Sequence, residues 1–262
     1  AAQAAGAKLT LDGEVALPLG RAGQLTLEMG GERLDTLSGL ARVELPAWGP
    51  WSLRGPLLVT ASGYEVRGIQ LRVGESRLEG SGTLDVSRPR PRLDLRLSAP
   101  SIQLDDFPLP ERLADPSPPV STAESLRRSA GKVVVRSERL LGAGFLRRFD
   151  SYLAVEVQEV LSGSDRLADG SLRVQVVDGR FFLGPAMVNI PGGTLRLSAA
   201  YDPSLAEVEL AAGAYVERFD YGIIARRLGQ AENVRGLFSL DLTVAGKAPS
   251  LNTIMRHADG KV

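Results

Sequence analysis

The sequence predicts a mostly β protein in which one long, curved antiparallel sheet forms an open groove, accompanied by a few short helices. Two observations lead to this fold class. Apolar and polar residues alternate with a period of two over many short segments of the 262-residue chain, as expected for strands with one buried face. Turn signals rich in glycine separate these segments at the spacing of an antiparallel meander. Hairpins are therefore the expected building unit.

The predicted strands share this alternation, with Leu, Val or Phe on one side and charged or hydroxyl residues on the other. They cover Leu25–Met29, Val66–Val73, Arg77–Val86, Leu93–Leu97, Leu153–Val157, Leu172–Val176, Thr194–Ala199, Glu207–Ala212 and Phe238–Val244. The predicted turns are Met29–Gly31, Ser62–Gly63, Val73–Glu75, Val177–Gly179 and Pro191–Gly193.

Helical periodicity is confined to three short segments. Glu138–Phe149 places Leu141, Phe145 and Phe149 on one stripe, which predicts an amphipathic helix. Asp220 is predicted to be the N-cap of a helix that ends at Gly229, and Ser250 to be the N-cap of a helix over 251–258. Helices of this length serve as plugs or connectors, because they are too short to cover a whole sheet.

A proline-rich segment from Asp105 to Ser125 predicts the domain organisation. We expect a first β lobe over residues 1–104, a linker or loop over 105–125, and a second β lobe with short helices over 126–262, truncated at its C-terminus. A faint repeat relates the two lobes. It pairs Leu78 with Leu195 and Leu93 with Val208, at offsets of 117 and 115 residues (195 − 78 and 208 − 93).

Composition excludes several classes of function. The 31 basic and 31 acidic residues give a formal net charge of zero, which argues against a nucleic-acid-binding protein. The chain has no cysteine and a single histidine, His257, so it cannot build a thiolate zinc site, a Cys nucleophile or a multi-histidine metal centre. No catalytic motif is present, and neither a cofactor nor a metal is expected.

The remaining polar candidates have structural interpretations that are favoured over functional ones. His257 beside Asp259 fits a partly exposed histidine at a helix C-terminus better than a general base. Asp105 and Asp106 fit a turn or cap better than a cation site, because adjacent residues of an extended segment point in opposite directions. Clustered arginines fit either phosphate headgroups or solvated faces that balance the acids; they are Arg127–Arg128, Arg147–Arg148, Arg226–Arg227 and the run Arg88, Arg90 and Arg92.

The apolar side of the strands has two possible uses. It forms either the core of an ordinary β sandwich or the lining of a trough open to aliphatic ligands. The low aromatic content and the scarcity of helices favour the trough. The predicted lining residues, which would contact acyl chains, are Val66, Leu71, Val73, Leu78, Leu84, Leu93, Leu95, Leu97, Leu153, Val155, Val157, Leu172, Val174, Val176, Leu195, Leu197, Val208, Leu210, Phe238, Leu240 and Leu242.

An ordered succession of short motifs from about Leu40 to the end resembles the AsmA-like family of diderm bacteria. In the first lobe these are GESRLEGSGTLD at 74–85 and RPRLDLRLSAP at 90–100. In the second lobe they are LADG at 167–170, VDGR at 177–180, IPGGT at 190–194, FDYG at 219–222, GLFSLDL at 236–242 and HADG at 257–260. The chain departs from the family in having no membrane anchor and in stopping at Val262, so we expect a fragment from the C-terminal region.

The resemblance implies a function and a location. Members of the family are anchored in the inner membrane by an N-terminal helix and extend into the periplasm as repeated β-grooves. They are associated with phospholipid transport to the outer membrane and with outer-membrane integrity, and they have no known catalytic residues. A non-enzymatic lipid-conducting module is therefore expected, with phospholipid acyl chains and possible envelope proteins as partners. The alternative is a closed β scaffold that assists envelope or outer-membrane protein assembly without binding lipid.

Overall fold

The computed structural model describes residues 2–4, 6–14, 23–41, 45–107, 142–163, 165–190, 193–204, 206–220, 236–251, 253–254 and 260–261. The strands are β1 (Ala2–Ala4), β2 (Ala7–Glu14), β3 (Gly23–Gly31), β4 (Trp51–Val59), β5 (Gly63–Val73), β6 (Ser76–Asp85), β7 (Arg92–Gln103), β8 (Asp150–Ser162), β9 (Asp165–Arg166), β10 (Gly170–Val177), β11 (Arg180–Ile190), β12 (Gly193–Asp202), β13 (Val208–Asp220), β14 (Leu237–Ala248) and β15 (Gly260–Lys261). The helices with described bounds are a 3-10 helix Leu34–Leu37, α1 (Ser38–Ala41), a 3-10 helix Leu104–Asp106 and α2 (Ala143–Leu146).

All the described strands belong to one 15-stranded sheet, in which the strands follow one another in chain order and β9 pairs with β8 off the main path. The two ends of the order, β1 and β15, do not pair with each other, so the sheet is open and does not close into a barrel. This confirms the predicted mostly β, open-sheet fold. Every predicted strand coincides with an observed one, although Val86 and Glu207 lie one residue outside β6 and β13.

One junction departs from the predicted antiparallel pattern. β7 and β8 pair in parallel, from Arg92 opposite Asp150 to Gln103 opposite Leu161. A parallel pair requires a crossover connection of a dozen or more residues, and the chain between Phe107 and Gly142 is long enough to provide it. The sheet is therefore mixed, with described strands of both predicted lobes joined at this seam. The division into lobes stays a prediction, and residues 108–125 of the predicted linker lie outside the described part.

The pairing register divides the sheet into two chemically different faces. Directly opposite residues share a face, as do alternate residues of one strand. One row of opposite partners crosses from β2 to β15 on what we call the inner face. It runs Gly13, Leu25, Leu57, Val66, Gly82, Leu95, Leu153, Val174, Leu183, Ala199, Ala212, Val244 and Gly260.

The sheet curves toward the inner face. Leu78, Leu97 and Val155 are buried on this face, and inner-face side chains of neighbouring strands, such as Leu53 and Leu172, pack around them. A flat single layer would leave these side chains open to solvent. The inner face is therefore the concave side.

The register also fixes the offset of the predicted repeat. Register shifts fall between Arg54 and Leu57 of β4 and between Ser171 and Val174 of β10, an offset of 117 residues (171 − 54). Val66 faces Gly82, and 117 positions later Leu183 faces Ala199. β4–β7 are thus repeated strand for strand by β10–β13.

The repeat confirms one predicted residue pair and corrects the other. Leu78 and Leu195 are equivalent, as predicted. The equivalent of Leu93 is Leu210 (93 + 117), because Leu84 faces Leu93 in the first copy and Tyr201 faces Leu210 in the second. The predicted pairing of Leu93 with Val208, with its offset of 115, is wrong by one inner-face position.

Several local predictions are also corrected. Met29–Gly31 is not a turn, since it forms the end of β3. The Asp220 N-cap stays a prediction: Asp220 is the last residue of β13, and the helix predicted after it falls in 221–235, outside the described residues. The helix predicted over Glu138–Phe149 is described only as α2, which ends before Phe149.

Other predictions agree with the structure. The turns at Gly74–Glu75 and Asp178–Gly179 are present. Ser250 is an N-cap as predicted, because its Oγ accepts a hydrogen bond from the Thr253 backbone N–H at 3.2 Å. The helix it begins includes Leu251, Thr253 and Ile254. His257, Asp259 and the turn at Pro191–Gly192 lie outside the described residues.

Candidate functional site

The inner face carries all the predicted lining residues. Val66, Leu95, Leu153 and Val174 lie in the row that crosses the sheet, and the other positions alternate with these along their strands or face them across a pair. Leu97, Val155 and Leu172 form a second row, and Val157, Leu195 and Leu240 belong to a third that also includes Val188 and Val216. The remaining pairs are Leu71 with Leu78, Leu84 with Leu93, Val73 with Ser76, Val176 with Phe181, Tyr201 with Leu210, Ala186 with Leu197, Ala214 with Leu242, Val208 with Ala248, and Phe238 with Phe219.

These residues differ widely in how accessible they are. Six of them are buried against other protein side chains: Val73, Leu78, Leu97, Val155, Val176 and Val208. By contrast, Leu93, Leu197 and Phe238 are 37%, 37% and 42% exposed. Large apolar side chains that stay open on a concave face are available to an apolar ligand, whereas the buried ones are not.

A hydrophobic plug covers one end of the inner face near the N-terminus. It consists of Leu34, Leu37, Trp48 and Phe107, and it packs with the sheet residues Ala7, Met29, Trp51, Leu53, Leu71 and Val73. The Trp48 and Phe107 rings meet edge to face, with centroids 5.0 Å apart. Most of this N-terminal plug comes from the long connection between β3 and β4. The sheet cannot accept a ligand where the plug sits.

A second plug covers the opposite end of the strands near the C-terminus. Phe145 and Leu146 of α2, together with Leu251 and Ile254, pack with Val176, Phe181, Tyr201, Val208, Leu210 and Ala248. Leu146 is only 1% exposed. This C-terminal plug covers Val176, Val208 and Leu210, three of the predicted lining residues.

The two plugs leave two open mouths, at opposite corners of the inner face. The first mouth consists of Val59, Tyr64, Leu84, Val86 and Leu93, among which Tyr64 is 45% exposed. The second mouth consists of Leu195, Leu197, Phe238 and Leu240. Between them lies the middle of the inner face, where Leu97 and Val155 are buried and Leu95 and Leu153 are half-buried.

Three arginines lie at the strand ends next to the first mouth, and each has a carboxylate partner. Arg92 belongs to the outer face, because it alternates with Leu93 along β7 and lies opposite Asp85. Arg88 Nε lies 2.8 Å from Asp85 Oδ2, Arg92 Nε lies 2.9 Å from Asp94 Oδ2, and Arg90 Nη2 lies 2.6 Å from Asp178 Oδ1 across the seam between the lobes. Hydrogen bonds from Ser87, followed by contact with Arg88, lower the pKa of Asp85. The arginine run is therefore a set of ion pairs, with spare guanidinium N–H donors directed to solvent.

The other arginine clusters have different positions. Arg147 donates to the Ser204 carbonyl at 3.2 Å, and Arg148 is exposed. The doublets Arg127–Arg128 and Arg226–Arg227 lie outside the described residues.

The outer face is mostly polar, with exposed Val177, Phe182 and Leu237 as apolar exceptions, and it carries isolated charge contacts. Arg54 pairs with Glu28 at 3.0 Å. Arg96 lies over the Tyr152 ring at 5.6 Å and Arg196 over the Tyr215 ring at 5.8 Å. This contrast gives any experiment on the inner face a matched control on the same strands.

Asp105 and Asp106 stabilise local structure, as predicted. Asp106 Oδ2 accepts hydrogen bonds from the Glu75 and Ser76 backbone N–H groups and from Ser76 Oγ, at 3.0, 2.8 and 2.6 Å. Asp105 Oδ2 accepts one from the Gly163 N–H at 3.0 Å. Nowhere in the described part of the chain do three or more metal-ligating side chains come together. Among the same residues, no helix combines the length and hydropathy needed to cross a membrane.

Sequence reasoning missed the N-terminal plug and three strands that contribute large apolar side chains to the inner face. β2 supplies Leu9 and Leu11, β4 supplies Leu53 and Leu57, and β11 supplies Leu183 and Val188. The predicted Phe145 stripe and the Ser250 N-cap were signals of the C-terminal plug, whereas Trp48 and Phe107 lie in segments without helical or strand periodicity.

Comparison with known proteins agrees with this architecture. The family model described as the AsmA family matches residues 39–262. A search of curated proteins and a search of solved structures each gave no match. The family match begins before β4 and includes both copies of the four-strand repeat.

Proposed function

Because this chain belongs to the AsmA family, whose members are envelope proteins, we propose that its inner face binds phospholipid acyl chains and conducts them across the periplasm. Family membership and the open β sheet fit a role related to lipid transport in the envelope. The proposal adds that the module is non-enzymatic, is held at the inner membrane in the full-length protein, and supports outer-membrane integrity by supplying phospholipid.

The observation that carries the proposal is the continuity of the apolar inner face. One row of Leu, Val, Ala and Gly residues crosses the sheet from β2 to β15 without a charged side chain. Neighbouring strands lie about 4.8 Å apart, so an acyl chain that moves along the row always has an apolar neighbour. Open apolar side chains remain at both mouths.

Hydrophobic shielding supplies the mechanism. Each methylene removed from water contributes about 0.8 kcal/mol, so an acyl chain held on an apolar face avoids a large cost of crossing water. The charged headgroup stays in solvent at the open side of the groove. Since no bond is made or broken, the module requires neither a cofactor nor a catalytic residue.

A photocrosslinker in cells tests the proposal directly. It is placed at Leu197 or Leu95 on the inner face and, as a control, at the neighbouring outer-face positions Arg196 or Asp94 in the full-length protein. We expect phospholipid adducts at Leu197 and Leu95, because these side chains face the groove. Adducts of equal yield at Arg196 and Asp94 would contradict the proposal.

The rival interpretation is a β scaffold that assists envelope protein assembly and binds no lipid. Native mass spectrometry of gently purified full-length protein separates the two. A lipid-conducting module retains copurified phospholipid, and a scaffold gives the mass of the protein alone.

A further inference from the structure

The repeat allows the two ends of the inner face to be compared position by position. With the 117-residue offset, Val59, Tyr64, Leu84 and Leu93 of the first mouth correspond to Val176, Phe181, Tyr201 and Leu210. In the second copy these residues lie beneath the C-terminal plug. In the first copy Tyr64 and Leu93 are 45% and 37% exposed, and Val59 and Leu84 are half-buried. The first mouth is thus an apolar surface whose equivalent elsewhere in the fold is covered.

The charge of the adjoining hairpin also differs between the copies. The connection from β6 to β7 carries Arg88 and Arg90, and β7 begins at Arg92. At the positions of Arg90 and Arg92 the second copy has Glu207 and Glu209. The open end of the inner face is therefore edged by arginines, and the covered end by glutamates.

These arginines retain the capacity to bind an anion. Their side chains are 56%, 39% and 45% exposed for Arg88, Arg90 and Arg92. A guanidinium has five N–H donors, and the contacts of Arg88 with Asp85 and of Arg90 with Asp178 and Asp150 leave donors free on both. Arginine beside an apolar surface and an exposed tyrosine is the combination that suits a membrane interface, where acyl chains and phosphates lie close together.

We propose that the first mouth is where an anionic phospholipid binds, with its acyl chains on Tyr64, Leu84 and Leu93 and its phosphate on Arg88 and Arg90 of the β6–β7 connection. This inference rests on the proposed function and specifies it further. It gives the groove a preferred headgroup charge and a defined point of contact with a membrane.

The test uses the 262-residue chain and vesicles of two compositions, phosphatidylglycerol mixed with phosphatidylethanolamine, and phosphatidylcholine alone. p-Benzoylphenylalanine replaces Tyr64 in one variant and its equivalent Phe181 in another, so both substitutions exchange an aromatic side chain for a larger one. Leu197 at the second mouth carries the crosslinker in a third variant. We expect lipid adducts at Tyr64 with the anionic vesicles, several times the yield at Phe181.

Arg88→Ala tests the headgroup contact separately. Removing one arginine from an anionic membrane surface is expected to weaken partitioning onto the phosphatidylglycerol vesicles about fivefold. Arg54→Ala, which removes an exposed and similarly paired arginine from the outer face, is the control and should leave partitioning unchanged.

The outcomes distinguish this inference from the proposed function. Lipid adducts at Leu197 with none at Tyr64 would leave the proposed function standing and overturn the first mouth as the binding point. Protein adducts at Tyr64 in place of lipid would assign that surface to another chain and likewise overturn the inference. Equal effects of Arg88→Ala and Arg54→Ala would refute the headgroup contact, and an absence of lipid adducts at all three positions would remove the proposed function as well.

Discussion

At the scale of single residues, Asp106 connects the β5–β6 turn to the 3-10 helix that follows β7. Its carboxylate accepts three hydrogen bonds from Glu75 and Ser76, and Ser76 is 2% exposed. We expect Asp106→Ala to lower the free energy of unfolding by about 2 kcal/mol, because it leaves buried donors without an acceptor. Urea denaturation measures this effect. Asp105→Ala removes an exposed contact next to Asp106 and should lower the free energy of unfolding less. Equal decreases for the two variants would contradict this account.

Asp202 makes the stability depend on acid. Burial raises its pKa, but hydrogen bonds from Ser204 and contact with Arg180 outweigh burial and lower the pKa below the ordinary value of 3.8. Since the unfolded chain binds a proton at a higher pH than the folded chain, this contribution is present above pH 3.8 and is lost as the pH falls toward the folded-state pKa. We expect the Asp202→Asn variant to lose less stability than the wild type over that acid range. Thermal unfolding at several pH values provides the measurement, and parallel curves for the two proteins would show the prediction to be wrong.

Among the structural elements, the plugs determine which parts of the inner face are covered. Leu146 of α2 is the most deeply buried member of the C-terminal plug. Its replacement by alanine is expected to cost about 3 kcal/mol, the usual result of emptying a buried leucine site. Leu93→Ala at the first mouth should cost about 1 kcal/mol or less, because that side chain is already partly in solvent. Chemical denaturation measures the free energy of unfolding of both variants. If Leu93→Ala lowers it as much as Leu146→Ala does, the assignment of a covered end and an open end is wrong.

The β bulges are a second feature at this scale. Gly68 lies at the register shift of β5 with a φ of +64°, and a Cβ there would meet no other atom. We expect Gly68→Ala to destabilise the fold by about 1 kcal/mol through backbone conformation alone. Gly68→Asn should cost less, because asparagine tolerates this region better. If urea denaturation gives equal decreases in the free energy of unfolding for Gly68→Ala and Gly68→Asn, the effect comes from packing and not from backbone conformation.

The bulges also explain which strands could not be predicted from sequence. β4 contains Gly55–Pro56 and β11 contains Gly184–Pro185, and each pair lies at a register shift. A Gly-Pro pair inside a run of apolar residues normally argues against a strand, yet a bulge accommodates both residues. Most strands with regular alternation were predicted, but β2 was missed although Leu9 and Leu11 alternate with Lys8 and Thr10. The same alternation identified the inner-face positions, because side-chain direction in a strand follows from its period of two.

What the sequence could not supply was the long-range pairing. The parallel seam between β7 and β8 and the two plugs depend on contacts between residues far apart in the chain. Nothing in local periodicity distinguishes Leu93, which is open, from Leu210, which is covered. The predicted lining residues therefore share one face but differ in accessibility, and their contact with acyl chains stays a prediction.

At the scale of the whole molecule, the seam joins the two predicted lobes through a shared apolar cluster. Leu97 of β7 faces Val155 of β8, and both are buried. We expect the lobes to unfold together. The only two tryptophans, Trp48 and Trp51, lie in the first lobe, so their fluorescence reports on that lobe whereas far-UV circular dichroism reports on the whole chain. The two urea transitions should coincide.

Val155→Ala, a change confined to the second lobe, tests the coupling. If the seam unites the lobes, both probes should report the same decrease in the free energy of unfolding, about 2 kcal/mol. A shift seen by circular dichroism with unchanged tryptophan fluorescence would mean that the lobes unfold independently.

The parallel seam has an evolutionary consequence. Because β8 runs in the same direction as β7, the second copy of the repeat begins in the orientation of the first, and its apolar side continues on the same surface. Duplication of a segment that encodes five such strands would widen the sheet by about 24 Å without changing any residue already in place. The length of the protein's apolar path can thus be adjusted by gene duplication alone, while plugs acquired in the connecting loops decide afterwards where that path opens.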